Sequence, residues 1–201
     1  MINPDVELTE PTDFQKLITR LEAHPEIGFI GTNLQGETTA AATSYPGQKH
    51  IKQDFEALPG GIAWLPCTSA FVSRSVYEKV AGFDEDFFVY GEAMDICLRI
   101  RKAGYKIDFY EGVTAKHINL NNKRSSGNYQ RYLHRMQNLY TFYRKHYFID
   151  EVKKLLQQDL KEARYRLLRL KLLAPLSNKF RDKSEHYRAV KQMATENLSH
   201  Y

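Results

Sequence analysis

Glu92, Asp95 and Arg99 stand within the stretch GFDEDFFVYGEAMDICLR, residues 82–99, at positions i, i+3 and i+7. On a helix this spacing puts all three on one face, with Asp95 and Arg99 at ion-pair distance. Two readings follow from the residues. Acids favour a helix N-terminus, and Asp95 can simply pair with Arg99. Alternatively, carboxylates behind the aromatic lead-in Phe87, Phe88 and Tyr90 suit acid/base work at the edge of a cleft. A second candidate is Asn3-Pro4-Asp5. Proline holds the backbone extended there, so the triplet is either a turn or a strand end that projects Asp5 as a hard oxygen ligand for a divalent cation on a diphosphate. The third is His117, before a loop rich in Asn, Lys, Arg and Ser. Its imidazole could complete a metal shell beside a carboxylate, with Lys123, Arg124 and Ser125 touching phosphate oxygens, or the whole loop could be solvated surface.

The elements that would carry these groups can be read from periodicity. Thr12 and Gln15 form a capping-box pattern, and Phe14, Leu17, Ile18 and Leu21 then recur at helical spacing up to Pro25. Ile27 to Gly31 reads as a short strand and residues 33–61 as a long loop. Two strand pieces follow, Ile62 to Leu65 and Ser69 to Ser73, then a short helix with a capping box from Ser75 to Glu78 that Gly82 ends. A helix from about Glu92 to Ala103 closes at Gly104. Tyr105 to Tyr110 and Val113 to His117 read as strands, and the chain beyond Tyr129 is helical. Leu156, Leu160, Ala163, Leu167, Leu170 and Ala174 make an apolar stripe that Pro175 interrupts.

Composition bounds the function classes. The 201 residues are 42% hydrophobic and 26% charged, which is globular, and the net charge of +5 favours an acidic partner. From Glu151 to Gln192 there are 12 Lys and Arg against 5 Asp and Glu, so the basic excess belongs to the C-terminal segment. That segment is either packed on the rest of the chain or lies on an anionic membrane surface. No recognition motif accompanies the charge, so nucleic acid is not an expected partner. Cys67 and Cys97 have neither C-x-x-C spacing nor a histidine cluster, which argues against a disulfide scaffold or zinc site and for a reduced, cytosolic compartment. There is no signal-peptide pattern and no apolar run of the roughly 20 residues that span a bilayer.

Read together, NPDV near the start, AFVSRSVYEKVAGFDEDFFVYGEAMDICLRIRKAGYKI, and a histidine before a Ser-rich loop resemble the family 2 glycosyltransferases, in the bacterial branch related to rhamnosyltransferases. The resemblance covers roughly Ile2 to Ser126. It implies an α/β fold, a partial GT-A-like (Rossmann-like) sandwich over residues 1–128 without the N-terminal nucleotide-binding units, followed by a helical basic extension over 129–201. It also implies transfer from a nucleotide-diphosphate sugar to a saccharide or lipid-linked acceptor hydroxyl, with inversion, in cell-surface polysaccharide or glycolipid assembly. The expected setting is cytoplasmic, peripheral on the inner face of the membrane.

On this resemblance Asn3 and Asp5 match the family's D-x-D-type motif, His117 matches a histidine that in some relatives approaches the metal and diphosphate, and Mn²⁺ or Mg²⁺ is the implied cofactor. Asp5 and His117 are then the metal-side residues, Glu92 and Asp95 the catalytic candidates, and Phe88 and Tyr90 acceptor-site residues. Two departures stand out. Ala93 occupies the place of the family's second motif acid, its expected general base, and the upstream strand-helix-strand units are absent. These departures favour an alternative, a catalytically inactive remnant that serves as an assembly or membrane-surface module, or a chain completed by an upstream half or a homo-oligomer.

Overall fold

The run IGFIGTNL is buried along nearly its whole length because it becomes an interior strand flanked on both sides and covered on both faces. It lies in a computed structural model that describes residues 5–36, 41–55, 57–87, 90–118, 129–171 and 177–201. The chain divides into two units. One comprises Met1–Pro46, Asp54–Glu85 and Glu92–Lys123, the other Gly47–Gln53, Asp86–Gly91 and Arg124–Tyr201.

The first unit is a four-stranded sheet in the order β1-β4-β2-β3. Its strands are β1 (Val6–Leu8), β2 (Ile27–Leu34), β3 (Ala70–Phe71) and β4 (Lys106–His117). β2 and β4 run parallel, and the short β1 and β3 pair antiparallel at the two edges. Helix α1 (Asp13–Ala23) covers one face, where its Leu17 packs with Ile27, Ile30, Phe71 and Val113. Helix α3 (Glu92–Lys102) covers the other, where Ile96, Cys97 and Ile100 meet Phe29, Leu65 and Ile107. Each fully buried side chain of this kind stabilises the fold by about 1.5–3 kcal/mol relative to exposure. Two strands expected at 105–110 and 113–117 are one continuous β4, with a register shift against β2 at Thr32/Asn33. Of the piece expected at Ile62 to Leu65, only an isolated bridge between Trp64 and Ala42 forms.

Local capping differs from the sequence pattern at two places. Thr12 has near-helical dihedrals and its side chain does not cap α1. Buried Asp13, the first residue of the helix, instead accepts from the Glu10 N–H at 3.0 Å and from Lys16 Nζ at 2.9 Å, tying the entering chain to the first turn. At α2 (Arg74–Lys79) the extended residue is Ser73, not Ser75, and Ser73 Oγ accepts from the Val76 N–H.

The second unit is helical, built from α4 (Tyr129–His146), α5 (Ile149–Leu170) and α6 (Asn178–Leu198). Tyr140, Phe142, Val152, Leu156, Ala163, Ala189 and Ala194 form its interior. Leu156, Ala163 and Leu170 of the α5 stripe are buried in this packing; Ala174 lies outside the described residues. Arg164, Arg166, Arg169 and Lys171 remain on the exposed side. Within this unit the Tyr140 hydroxyl donates to Asp159 Oδ2 at 3.0 Å. Burial pushes the Asp159 carboxyl above its usual range, a rise that the Tyr140 bond only partly offsets.

A Cβ on Gly28 would lie 2.6 Å from Ile100 Cγ2 and 2.7 Å from Tyr105 Cβ, whereas one on Gly61 meets nothing within 4 Å. Gly28→Ala should therefore cost about 1–3 kcal/mol in urea denaturation and Gly61→Ala close to nothing. For Asp159, a folded-state pKa raised above the unfolded value of about 3.9 gives stability that is present below that value and lost as pH rises through the folded one. The stability of the wild type relative to Asp159→Asn should fall as pH is raised from about 4, and a difference independent of pH would contradict the assignment.

Candidate functional site

Asp5 immediately precedes β1, so it stands at the start of a strand rather than at its carboxyl end. The antiparallel pairing of β1 with β4 nevertheless carries it to the right place. Val6 faces His117, and the Ile118 N–H donates to the Asp5 carbonyl at 2.7 Å, so the beginning of β1 lies beside the end of β4. There His117 Nε2 is 3.1 Å from Asp5 Oδ2, with both side chains partly open to water. Two residues 112 positions apart thus form one polar pair at the carboxyl edge of the parallel strands, where ligands of open α/β sheets gather.

Helix α3 brings Glu92 toward the same edge. Ile100 sits against Gly28, while Cys97 is hydrogen-bonded by the Leu65 backbone, and the Leu65 side chain covers Gly31. The helix therefore runs antiparallel to β2, so its amino end, where Glu92 stands, lies toward the strands' carboxyl ends. Glu92 Oε2 is buried and has no hydrogen-bond partner among the described residues, an arrangement that costs stability unless something else uses the oxygen. Asp95, one turn on, is placed differently. It is 1% exposed and accepts from Arg99 Nε at 2.9 Å and Nη2 at 2.6 Å. Arg99 Nη1 also donates to the Val80 carbonyl, so this ion pair ties the end of α2 to α3.

Sequence reasoning missed Arg101. It is 5% exposed and donates to the carbonyls of Leu58, Pro59 and Gly60 at 3.0–3.1 Å. Beside it the Tyr45 hydroxyl donates to the Ala63 carbonyl at 2.7 Å, and burial pushes its pKa up to about 12. Together they fasten Tyr45 and the 58–60 turn within the sheet unit; an arginine two residues after Arg99 gives no local sign of that role. Trp64, just after this turn, has a buried indole N–H without a partner among the described residues. Both cysteines are free thiols, and burial raises each pKa, with the Cys97 and Glu92 charges adding to the effect at Cys67. Neither is poised as a thiolate nucleophile.

Asn3, Phe88, Lys123, Arg124 and Ser125 lie outside the described residues. Tyr90 belongs to the helical unit, where its ring lies under Arg135 with the guanidinium carbon 5.5 Å from the centroid. Among the described residues no group of three or more His, Cys, Asp or Glu could hold a metal ion.

The sheet unit is thus a mixed α/β layer with Asp5 and His117 paired at the carboxyl edge of its parallel strands and the amino end of α3 on the same side. The profile of glycosyl transferase family group 2 matches residues 16–177, and the chain belongs to that family. The mixed α/β sheet followed by helices agrees with part of a GT-A-like domain. The chain is also 28% identical over 123 residues to the O-antigen biosynthesis protein RfbC of Myxococcus xanthus. That match covers 53% of this chain and 10% of the relative, so the chain spans only a small part of the protein it resembles. No solved structure matches.

Glu92 and Asp95 should separate in a stability assay. Arg99→Met removes two charge-assisted hydrogen bonds to buried Asp95 and should cost about 3 kcal/mol, the low end for a buried pair because Arg99 is partly exposed. Glu92→Gln removes no hydrogen bond among the described residues and should change stability by less than about 1 kcal/mol. Equal losses in guanidinium titrations would contradict this division.

Proposed function

We propose that the chain takes part in transfer of a glycosyl group from a nucleotide-diphosphate sugar to an acceptor hydroxyl, with inversion, in assembly of a cell-surface polysaccharide or glycolipid. Family membership and the O-antigen biosynthesis relative support the class of reaction. The observation that supports the assignment of roles is the unpartnered Glu92 Oε2 at the amino end of α3, beside the separate observation that Asp5 and His117 pair at the carboxyl edge of the parallel strands.

In this reading Glu92 takes the proton of the acceptor hydroxyl as that oxygen bonds to the anomeric carbon, while the bond from that carbon to the diphosphate breaks on the opposite face. Asp95 positions the start of α3 through Arg99 rather than touching substrate. Asp5 and His117 offer one oxygen and one nitrogen 3.1 Å apart, a donor set that suits a divalent cation completing its shell with diphosphate oxygens and water. When bound, Mn²⁺ or Mg²⁺ would offset the charge of the leaving diphosphate. Attachment to an anionic membrane surface through the basic stretch 151–192 belongs to the same reading. No described helix is long and apolar enough to cross a membrane.

One observation favours a second reading. Ala93, where the resemblance places the family's second acid, is 6% exposed and cannot accept a proton, as expected of a binding module without turnover.

A transfer assay with nucleotide sugars decides between the two. Glu92→Gln should lower kcat by about 10²–10⁴-fold. In calorimetry, Mn²⁺ should strengthen nucleoside-diphosphate binding, and Asp5→Asn or His117→Ala should remove that effect. Absence of Mn²⁺-dependent binding would sink the metal-side assignment, and turnover indifferent to Glu92→Gln would sink the base.

A further inference from the structure

The helical unit contains a cavity of about 680 Å³ lined by Tyr90, Arg131, Tyr132, Arg135, Lys179 and Asp182, together with Asn178. Its size is that of a small-molecule site. Its chemistry is not that of a structural void. Arg131 and Arg135 are one turn apart on α4 and so share a face. Each guanidinium lies over a ring, Arg131 over Tyr132 at 5.6 Å and Arg135 over Tyr90 at 5.5 Å, which holds the planar forks in place. Lys179 adds a third cation from the first turn of α6, a 21-residue helix capped by Ser177 with no acid in that turn. Against these stands one carboxylate, Asp182. Its Oδ2 accepts from the Tyr132 hydroxyl at 2.8 Å, and its Oδ1 is buried without a partner among the described residues.

A second observation marks the site as built. Tyr90 has φ = 70°, in the left-handed region that non-glycine residues seldom enter. Ala81, at φ = 60°, shares this region with Tyr90 among the non-glycine residues described, and of the two only Tyr90 contributes its ring to the cavity wall. Strain of this kind collects at ligand clamps.

We propose that this cavity binds a phosphorylated sugar. The phosphate dianion engages Arg131, Arg135 and Lys179, a sugar hydroxyl donates to Asp182 Oδ1, and the rings of Tyr90 and Tyr132 flank the pyranose. A bare anion site has no use for the carboxylate, and a neutral-sugar site has no use for three cations; a sugar phosphate uses both. The site is separate from Asp5, His117 and Glu92, and it does not depend on the transfer reading.

The test is calorimetry on the full chain in EDTA with glucose 1-phosphate, inorganic phosphate and glucose, beside sedimentation with phosphatidylglycerol vesicles. Glucose 1-phosphate should bind at least about tenfold more tightly than inorganic phosphate, with no detectable binding of glucose. Arg135→Gln/Lys179→Gln changes two exposed residues, so its thermal melt should match the wild type while affinity for both phosphates falls at least about tenfold. Asp182→Asn should reduce glucose 1-phosphate to the level of inorganic phosphate and leave the latter unchanged. Failure of glucose 1-phosphate to bind, binding untouched by the double variant, or no preference over inorganic phosphate overturns the proposal. So does vesicle capture that the double variant abolishes while no sugar phosphate binds, which would assign the cations to lipid headgroups.

Discussion

The close approach of α3 to β2 at Gly28 is the constraint on which the sheet unit depends. Ile100 and Tyr105 occupy the space where any side chain on residue 28 would project, and this sets how closely the helix packs on the parallel β2–β4 pair. Direction is what matters chemically. A helix laid antiparallel on parallel strands presents its amino end toward their carboxyl edge, the edge at which Asp5 and His117 pair. Packing in the middle of the layer thus shows which end of α3 lies toward its rim.

Support for that rim comes from cations bound to backbone oxygens as much as from ion pairs. Arg99 joins Asp95 to the Val80 carbonyl, and Arg101 gathers three consecutive carbonyls of the 58–60 turn. Carbonyl groups of irregular segments need partners once buried. A guanidinium, with five donors in a fixed plane, satisfies several at once. The 58–60 turn is therefore fastened at defined points despite its lack of regular structure.

Much of this was legible in the sequence, and the exceptions have physical causes. The apolar period and Gly104 located α3 to within one residue at its end, and the family expected from the NPDV and EAMDICLR motifs is the family found. β1 was not legible as a strand. Three residues carry no period, and only pairing with β4 makes them one. The union of Asp5 with His117 spans 112 residues and could be expected from resemblance, not from local pattern. β4 appeared as two strands because the irregular register around Glu111 and Gly112 breaks the alternation that identifies a strand. Ser75 looked the better cap by spacing, yet Ser73 alone has the extended dihedrals that a cap requires. The left-handed Tyr90 leaves no local trace, since composition rules assign such angles to glycine.

Trp64 is the single tryptophan of the chain, and it sits in the sheet unit, bridged to Ala42. Indole emission is consequently a private reporter of that unit rather than of α4, α5 and α6. Far-ultraviolet dichroism weighs the opposite way, since the three longest helices all belong to the second unit. The protein therefore carries two spectroscopic channels, one for each unit. Comparing them measures whether the sheet and the helices melt as one cooperative body or as two.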